Sequence, residues 1–213
     1  MAELYFGSSD AFEVTEFPRR RVIDEIEMVM SAFDCVLPDD AGTYCSSDIT
    51  TGKRFYFEFL LPHGATSDEE LKQKLGEQEH KQVKTELIQT NVARGMEFTE
   101  KLRERGLVNL VNPGPFFARG FDQQHYLYLW EWVIIKKTYQ TYFNDNWQYS
   151  NGCTFEYAVA ARKGIPRFDS LGNHLPLLEA IRMVEAAVDE LKGKGLIVGK
   201  LDQNLTLLKS FAR

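Results

Sequence analysis

Short apolar runs alternate along this chain with longer segments in which apolar residues recur every three or four positions. The short runs are typical of buried strands, and the longer spacing is typical of helices that pack one face on a core. The clearest predicted helices are residues 82–105, 126–135 and 175–193. The clearest predicted strands are residues 107–111, 139–143 and 165–168. This alternation predicts an α/β fold, with a mainly parallel sheet flanked by helices on both faces.

The remaining segments carry weaker signals. The dense aromatic run at residues 54–61 predicts a buried strand, because Pro62 and Gly64 end it. The other predictions are an amphipathic helix at residues 22–33, a short strand at 35–37, a loop at 38–52, a charged mobile segment at 65–80, and a tail from residue 200 that forms a short helix or frays.

Composition limits the classes of protein that fit. The 213 residues, 44% of them hydrophobic, predict a single domain over residues 1–213. The net charge of -6 argues against a nucleic-acid polymer as partner. Three cysteines without a CxxC pair, together with an N-terminus unlike a signal peptide, predict a cytoplasmic protein, and no apolar run predicts a membrane span. No metal or cofactor is predicted, since the four histidines are scattered and nucleotide-binding glycine motifs are missing.

A polar loop joins the predicted strand at residues 139–143 to a predicted helix at residues 154–163. Loops at the carboxyl ends of strands form ligand sites in α/β sheets. Ser150, Asn151 and Gly152 lie at the start of the helix, where backbone N–H groups favour an anion. Glu156 follows in the predicted first turn. A carboxylate there is also explained by the helix macrodipole, worth about 0.3–1 kcal/mol, so Glu156 alone does not identify a site.

Residues 112–169 resemble the nucleoside 2-deoxyribosyltransferase-like superfamily, which includes nucleoside 5'-monophosphate N-glycosidases and an uncharacterised bacterial and phage branch. The matching residues are Asn112, Pro113, Trp147, Ser150, Gly152, Glu156, Ala158, Ala160, Gly164, Ile165 and Pro166. The resemblance implies a Rossmann-like or flavodoxin-like fold with a family-like core at about residues 53–199 and an N-terminal extension at residues 1–52. Residues 4–9 and 55–64 compete for the first strand of the family, and the second segment is preferred because the next helix and strand follow it in family order.

The resemblance also implies roles for these residues. Glu156 would attack the anomeric carbon, and Ser150 and Gly152 would lie against the sugar or its 5'-phosphate. Asp145 is preferred as the acid that protonates the leaving base, because it shares the loop. Trp147 lies among polar residues, which favours a lid or a stacking platform. The other predicted substrate contacts are Asn112, Pro113, Phe116, Asp122, Asn144 and Asn151.

Together, these residues predict an enzyme that cleaves the N-glycosidic bond of a nucleoside or a nucleoside 5'-monophosphate. Hydrolysis and transfer to a second base both stay open, and the small hydroxyl of Ser150 favours a phosphorylated substrate. Two alternatives are a non-catalytic nucleotide-binding module and a structural protein. Core packing is the simpler interpretation of Trp130 and Trp132. Related members of the superfamily build their sites at dimer contacts, so the apolar excess at residues 126–135 also predicts a homodimer with Trp130 or Trp132 as an anchor.

Overall fold

The computed structural model describes residues 19–212, with side chains from Asp24 onward. Its helices are α1 Arg19–Val36, α2 Asp68–Leu75, α3 Glu77–Glu104, α4 Gln123–Lys137, α5 Asn151–Arg162, α6 Leu177–Gly193 and α7 Gly199–Ser210. Its strands are β1 Gly42–Ser46, β2 Leu110–Val111, β3 Thr138–Phe143 and β4 Arg167–Phe168. Within residues 19–212, no helix combines the length and the apolar character that crossing a bilayer requires.

The strands form one parallel sheet in the order β2-β1-β3-β4, which confirms the predicted fold class. The chain passes from β1 to β2 on one side and then returns to β3 on the other side of β1. This reversal creates a crevice at the carboxyl ends of β1 and β3, where open α/β sheets bind ligands.

Helices cover both faces of the sheet, as predicted. Side chains alternate between the faces along a strand, so Tyr44 and Cys45 of β1 point in opposite directions. Cys45 packs in a cluster with Phe98 and Leu102 of α3. Tyr44 belongs to a second cluster that includes Leu129 of α4 and residues of α5. A third cluster joins α5, α6 and α7 with the segment around residue 55.

Strand β1 was not predicted, because residues 38–52 look like a loop in the sequence. All five of its residues are buried, so it lacks the alternation of a half-exposed strand. A Cβ atom at Gly42 would lie 2.8 Å from the Lys137 carbonyl oxygen, so only glycine allows β1 to start this close to the end of α4. The strand predicted at residues 35–37 is wrong: Cys35 and Val36 end α1. Residues expected to form an N-terminal extension thus supply a central strand.

The aromatic run at residues 54–61 is helical, so the strand predicted there is wrong. Phe55–Leu60 forms a π-helical segment and Leu61–His63 continues it as a 3-10 turn. Phe55, Tyr56 and Leu60 face the core, and Glu58 is exposed, so burial follows a helical spacing rather than strict alternation. This segment therefore cannot be the first strand of the family, and the competing segment, residues 4–9, lies outside the described residues.

The predicted mobile segment at residues 65–80 is mostly helical as well. The Ser67 hydroxyl caps α2 by accepting a hydrogen bond from the Glu70 N–H at 3.1 Å, and Leu71 is buried against the core. The C-terminal tail forms α7, which packs on α5 and α6 through Leu201, Leu205 and Leu208. Of the two predictions for the tail, the short helix is confirmed.

Helix α4 is confirmed, and so is the core packing predicted for Trp130 and Trp132. Trp130 and Trp132 are buried, and the ring of Phe33 from α1 lies 6.1 and 6.5 Å from their ring centroids. Phe116 packs on Trp130 at 5.3 Å. Because the chain itself covers this surface, the assignment of Trp130 or Trp132 as a dimer anchor is wrong. The homodimer itself stays a prediction.

Candidate functional site

Glu156 lies in the second turn of α5, not in its first turn. The helix begins at Asn151 rather than at Thr154, and its first turn contains no acidic residue. The favourable effect of the macrodipole on a carboxylate falls off within the first turn. The position of Glu156 therefore needs another explanation than the helix dipole.

Two hydroxyl groups of β1 hold the Glu156 carboxylate. The Tyr44 hydroxyl donates to Oε1 at 2.8 Å, and the Ser46 hydroxyl donates to Oε2 at 2.5 Å. Both donors lie on the same face of the strand because they are two residues apart. Glu156 is 8% exposed, and each carboxylate oxygen keeps a second lone pair after accepting one hydrogen bond. The arrangement fixes the carboxylate at the carboxyl edge of the sheet and leaves it acceptor capacity.

Burial raises the pKa of Glu156 to about 7, and the hydrogen bonds from Ser46 and Tyr44 keep that pKa from rising further. No lysine or arginine of the described residues forms an ion pair with this carboxylate. Near neutral pH the group therefore exists in both protonation states. Shifted carboxyl groups of this kind are common at catalytic sites, although buried structural carboxyls show them too.

The N-terminus of α5 is less open to an anion than the sequence predicts. The Ser150 N–H donates to the Trp147 carbonyl at 2.9 Å, and the Asn151 N–H donates to the Thr51 hydroxyl at 3.1 Å. These two groups are therefore engaged within the chain. At Gly152 an added Cβ atom would meet nothing closer than 3.9 Å, so this residue leaves space rather than filling a tight contact.

The side chains at this end of α5 serve the helix itself. The buried Ser150 hydroxyl accepts a hydrogen bond from the Cys153 N–H at 3.4 Å, which makes Ser150 the N-cap. Asn204 of α7 donates to the Asn151 carbonyl at 2.9 Å and to the Thr154 hydroxyl at 2.7 Å. Helix α7 thereby fixes the end of the helix that carries Glu156.

Trp147 is a core residue, so its predicted role as a lid or stacking platform is wrong. Its side chain is only 2% exposed. The ring stacks on Tyr157 with centroids 5.0 Å apart and an interplanar angle of 16°, and it also contacts Phe143 at 5.2 Å. The turn Trp147–Tyr149 buries the indole beneath the loop.

Asn144 and Asp145 point to different places. The Asn144 N–H donates to the Ser46 carbonyl at 2.9 Å, so Asn144 lies beside the end of β1, close to the donors that hold Glu156. Asp145 is exposed, and its carboxylate accepts a hydrogen bond from the Ser170 hydroxyl at 2.5 Å. Asp145 is therefore directed toward the segment after β4.

Asn112 and Pro113 lie on the α3 side of the same sheet edge. Asn112 follows β2 directly, and its side-chain oxygen accepts a hydrogen bond from the Gly114 N–H at 2.9 Å. A Cβ atom at Gly95 of α3 would lie 3.9 Å from that oxygen. Pro113 is buried in the turn that follows. Both residues border the crevice, with no described contact to Glu156.

Phe116 and Asp122 have structural partners instead. Phe116 packs edge-on against Trp130. The Asp122 side chain accepts a hydrogen bond from the Gln124 N–H at 2.8 Å and caps α4 together with His125. Both residues therefore belong to the packing around α4, where Trp130 also contacts Tyr44 with ring centroids 6.2 Å apart.

Tyr44 and Ser46 were missed because they lie in the segment predicted as a loop. The signal that was present is the polar sequence Ser46, Ser47, Asp48 directly after a short β-forming run, which is typical of a strand end that carries a site. Asp48 is 4% exposed, and burial raises its pKa although Arg94 and Arg54 oppose the shift.

Asp48 and Glu156 both act on the same buried thiol. Burial raises the pKa of Cys153, and the charges of Glu156 and Asp48 raise it further. Cys153 is therefore close to both carboxyl groups. The crevice thus contains two buried carboxyls, one on α5 and one in the loop after β1.

Comparisons with protein-family models, with curated proteins and with solved structures find no match for this chain. The site is therefore interpreted from its geometry and chemistry. The resemblance to the nucleoside 2-deoxyribosyltransferase-like superfamily stays an expectation from the sequence.

Proposed function

We propose that this protein cleaves the N-glycosidic bond of a nucleoside or a nucleoside 5'-monophosphate, with Glu156 as the nucleophile. The observation that carries the proposal is the state of Glu156: a buried carboxylate, without an ion-pair partner among the described residues, held by Tyr44 and Ser46 at the carboxyl edge of β1. A carboxylate in this setting costs stability, which is typical of a group retained for function.

The proposed reaction has two steps. In the first, an Oε atom of Glu156 forms a bond to the anomeric carbon while the bond from that carbon to the base breaks, and its electron pair leaves with the base nitrogen. Charge develops on the sugar as an oxocarbenium-like state, which the carboxylate stabilises. In the second step, water or another base displaces Glu156, which gives an N-glycosidase or a deoxyribosyltransferase, respectively.

Two carboxyl groups are candidates for protonating the leaving base. Asp145 is the acid predicted from the sequence, but it is exposed and its carboxylate accepts a hydrogen bond from the Ser170 hydroxyl. Asp48 is buried, its pKa is raised by burial, and it is close to the same Cys153 thiol as Glu156. A general acid must hold a proton when it acts, and burial shifts the pKa of Asp48 in the direction that favours this, whereas Asp145 is exposed to water. The variants Asp48→Asn and Asp145→Asn distinguish them, since only the acid should affect base release.

A non-catalytic nucleotide-binding module is the second candidate. One observation favours it: Glu156 is not among the residues that line the cavity of about 450 Å³ at this edge of the sheet. In that case the buried carboxylate would organise the crevice by joining β1 to α5, and ligand binding would be the whole function.

The test is base release from a panel of nucleosides and their 5'-monophosphates, followed by chromatography. The wild-type protein should release free base from at least one substrate, and Glu156→Gln should abolish release while ligand affinity stays within about tenfold, because the amide keeps the shape but is not a nucleophile. Glu97→Gln, an exposed glutamate on α3, is the matched control and should behave like wild type.

Each result separates the candidates. Undiminished release by Glu156→Gln would contradict the catalytic assignment. Binding of a panel member without release by the wild-type protein would instead support the nucleotide-binding module.

A further inference from the structure

A cavity of about 450 Å³ opens beside the loops that follow β1 and β3. This volume lies in the range of sites that bind small molecules. Asn146, at the rim, has a left-handed backbone with φ of 65°, which asparagine adopts more readily than most residues. The lining residues are Lys53, Arg54, Phe57, Glu58, Arg94 and Asn146.

The cavity is positively charged in a chain whose net charge is -6. Three of its lining residues are cationic and one is acidic. Arg54 binds Glu58 through two hydrogen bonds of 2.9 and 2.7 Å, so these two charges largely cancel. The buried Asp48 carboxyl interacts electrostatically with Arg94 and Arg54, and burial raises its pKa.

The charges of Arg94 and Lys53 are compensated less than that of Arg54, although Asp48 interacts electrostatically with Arg94. Within the described residues neither forms a salt bridge, and Arg94 makes no described hydrogen bond. The Lys53 ammonium lies over the rings of Tyr149 and Phe57, at 5.3 and 5.7 Å from their centroids. Cation–π contacts place this charge at the cavity without neutralising it. Two half-buried cations that converge on one cavity repel each other unless an anion binds between them.

We propose that this cavity binds the phosphate group of a small phosphorylated sugar, with Arg94 and Lys53 as its cationic contacts. The planar fork of arginine matches two phosphate oxygens, and a phosphate dianion can use both cations at once. The remaining volume accommodates the organic part of the ligand. This goes beyond the proposed function, because the site does not require Glu156 to be catalytic.

The location differs from the one expected from the sequence. A phosphate was expected at the N-terminus of α5, where the Ser150 hydroxyl and the Asn151 N–H are engaged within the chain. The cavity takes its cations from Arg94 of α3 and from Lys53, in the helical turn that directly precedes the segment Phe55–Leu60. Both regions lie at the carboxyl edge of the sheet, where β1 and β3 end.

Isothermal titration calorimetry with the full chain tests the assignment, with ribose 5-phosphate, inorganic phosphate and gluconate as probes. Ribose 5-phosphate should bind, and Arg94→Gln and Lys53→Gln should each weaken it about tenfold, the effect of losing one charge-assisted contact. Arg94→Lys should fall between wild type and Arg94→Gln, because it keeps the charge and loses the fork. Arg182→Gln, which removes an exposed arginine of α6, should bind like wild type.

Several outcomes would overturn the proposal. The first is that the wild-type protein does not bind ribose 5-phosphate at about 10 mM. The second is that Arg94→Gln and Arg94→Lys bind ribose 5-phosphate with equal affinity. The third is that gluconate binds as tightly as ribose 5-phosphate. The variant Glu156→Gln separates this proposal from the catalytic one. If the variant still binds ribose 5-phosphate, the phosphate site is separate from Glu156; if it no longer binds, the proposal of a separate site is contradicted. Circular dichroism confirms that each variant is folded.

Discussion

The hydroxyl of Tyr44 lies 2.8 Å from Oε1 of Glu156 and joins the central strand to helix α5. Ser46 makes the second contact from the same face of β1, so the strand fixes both oxygens of the carboxylate. A buried carboxyl would otherwise lose most of its interaction with water, which is why its pKa is raised. The hydroxyl pair therefore orients Glu156 and favours its charged form, against the larger effect of burial.

Tyr44→Phe should shift the pH dependence of base release to higher pH. Burial raises the pKa of Glu156 and the Tyr44 hydrogen bond lowers it, so loss of the hydroxyl raises the pKa above about 7. The expected shift is about one pH unit, because a hydrogen bond to a charged group is worth about 1.5–3 kcal/mol. Rates of base release measured from acid to alkaline pH give the midpoint of this pH dependence for the wild-type protein and the variant.

Tyr139→Phe is the control for this experiment, since the Tyr139 hydroxyl bonds with Gln140 and Thr43 rather than with Glu156. Ser46→Ala should move the midpoint in the same direction as Tyr44→Phe. An unchanged midpoint in both variants would show that the hydroxyl pair does not set the charge state of the nucleophile.

Glu156→Gln should stabilise the fold at alkaline pH. The pKa of Glu156 is raised from 4.5 to about 7, so the folded state favours the protonated carboxyl. The contribution of this group to the free energy of unfolding is fully present below about pH 4.5 and is lost as pH rises through about 7. Glutamine stays neutral at every pH and can still bond with both hydroxyls.

The stability of the variant relative to wild type should therefore grow by roughly 3 kcal/mol between about pH 4.5 and about pH 8. Urea denaturation at both pH values measures the difference. A variant that is less stable than wild type at about pH 8 would mean that the carboxylate supports the fold, which would favour a structural role for Glu156.

Trp147→Ala should destabilise the protein by roughly 3–5 kcal/mol, because it removes a buried ring from between Tyr157 and Phe143. Thermal denaturation measures the loss. Phe117→Ala is the matched control: Phe117 is 81% exposed, so the change should stay within about 0.5 kcal/mol. A small loss of stability with a large loss of ligand affinity would restore the interpretation of Trp147 as a ligand platform.

Local sequence patterns identified the long helices and the strand–loop–helix that carries Glu156, since each of these elements has a strong pattern of its own. They failed where burial depends on distant partners. The polar neighbours of Trp147 in the sequence suggest an exposed side chain, but in the fold its ring is buried in a cluster that includes Tyr157 and Phe143. Residues 54–61 are rich in aromatic residues, which is common in strands, yet they are helical and three of them are buried in the core cluster that also contains residues of α5, α6 and α7.

The site was predicted only in part for the same reason. Glu156 and its helix could be identified from spacing, but Tyr44 and Ser46 meet Glu156 only through the parallel pairing of β1 with β3. Their strand is short and wholly buried, which leaves no alternation to detect. Arg94 of α3 and Lys53, which are 41 positions apart in the sequence, line the same cavity only in the folded chain, and no local pattern encodes that arrangement.

Asn204→Ala should loosen the helix that carries Glu156. The Asn204 side chain donates to the Asn151 carbonyl at 2.9 Å and to the Thr154 hydroxyl at 2.7 Å, and it is buried between α7 and α5. Its removal takes one hydrogen bond each from the Asn151 carbonyl and the Thr154 hydroxyl, which should lower the free energy of unfolding by roughly 2 kcal/mol. The first turn of α5 should then exchange its amide hydrogens faster, while the amides of α3 should keep their rates apart from the global change in stability.

Hydrogen exchange followed by mass spectrometry distinguishes this local effect from a general one. Gln203→Ala changes the neighbouring exposed residue of α7 and should leave both stability and exchange as in wild type. If Asn204→Ala accelerates exchange equally in α3 and α5, Asn204 stabilises the domain as a whole. Faster exchange confined to α5, together with slower base release, would show that α7 acts on the site by fixing the position of Glu156.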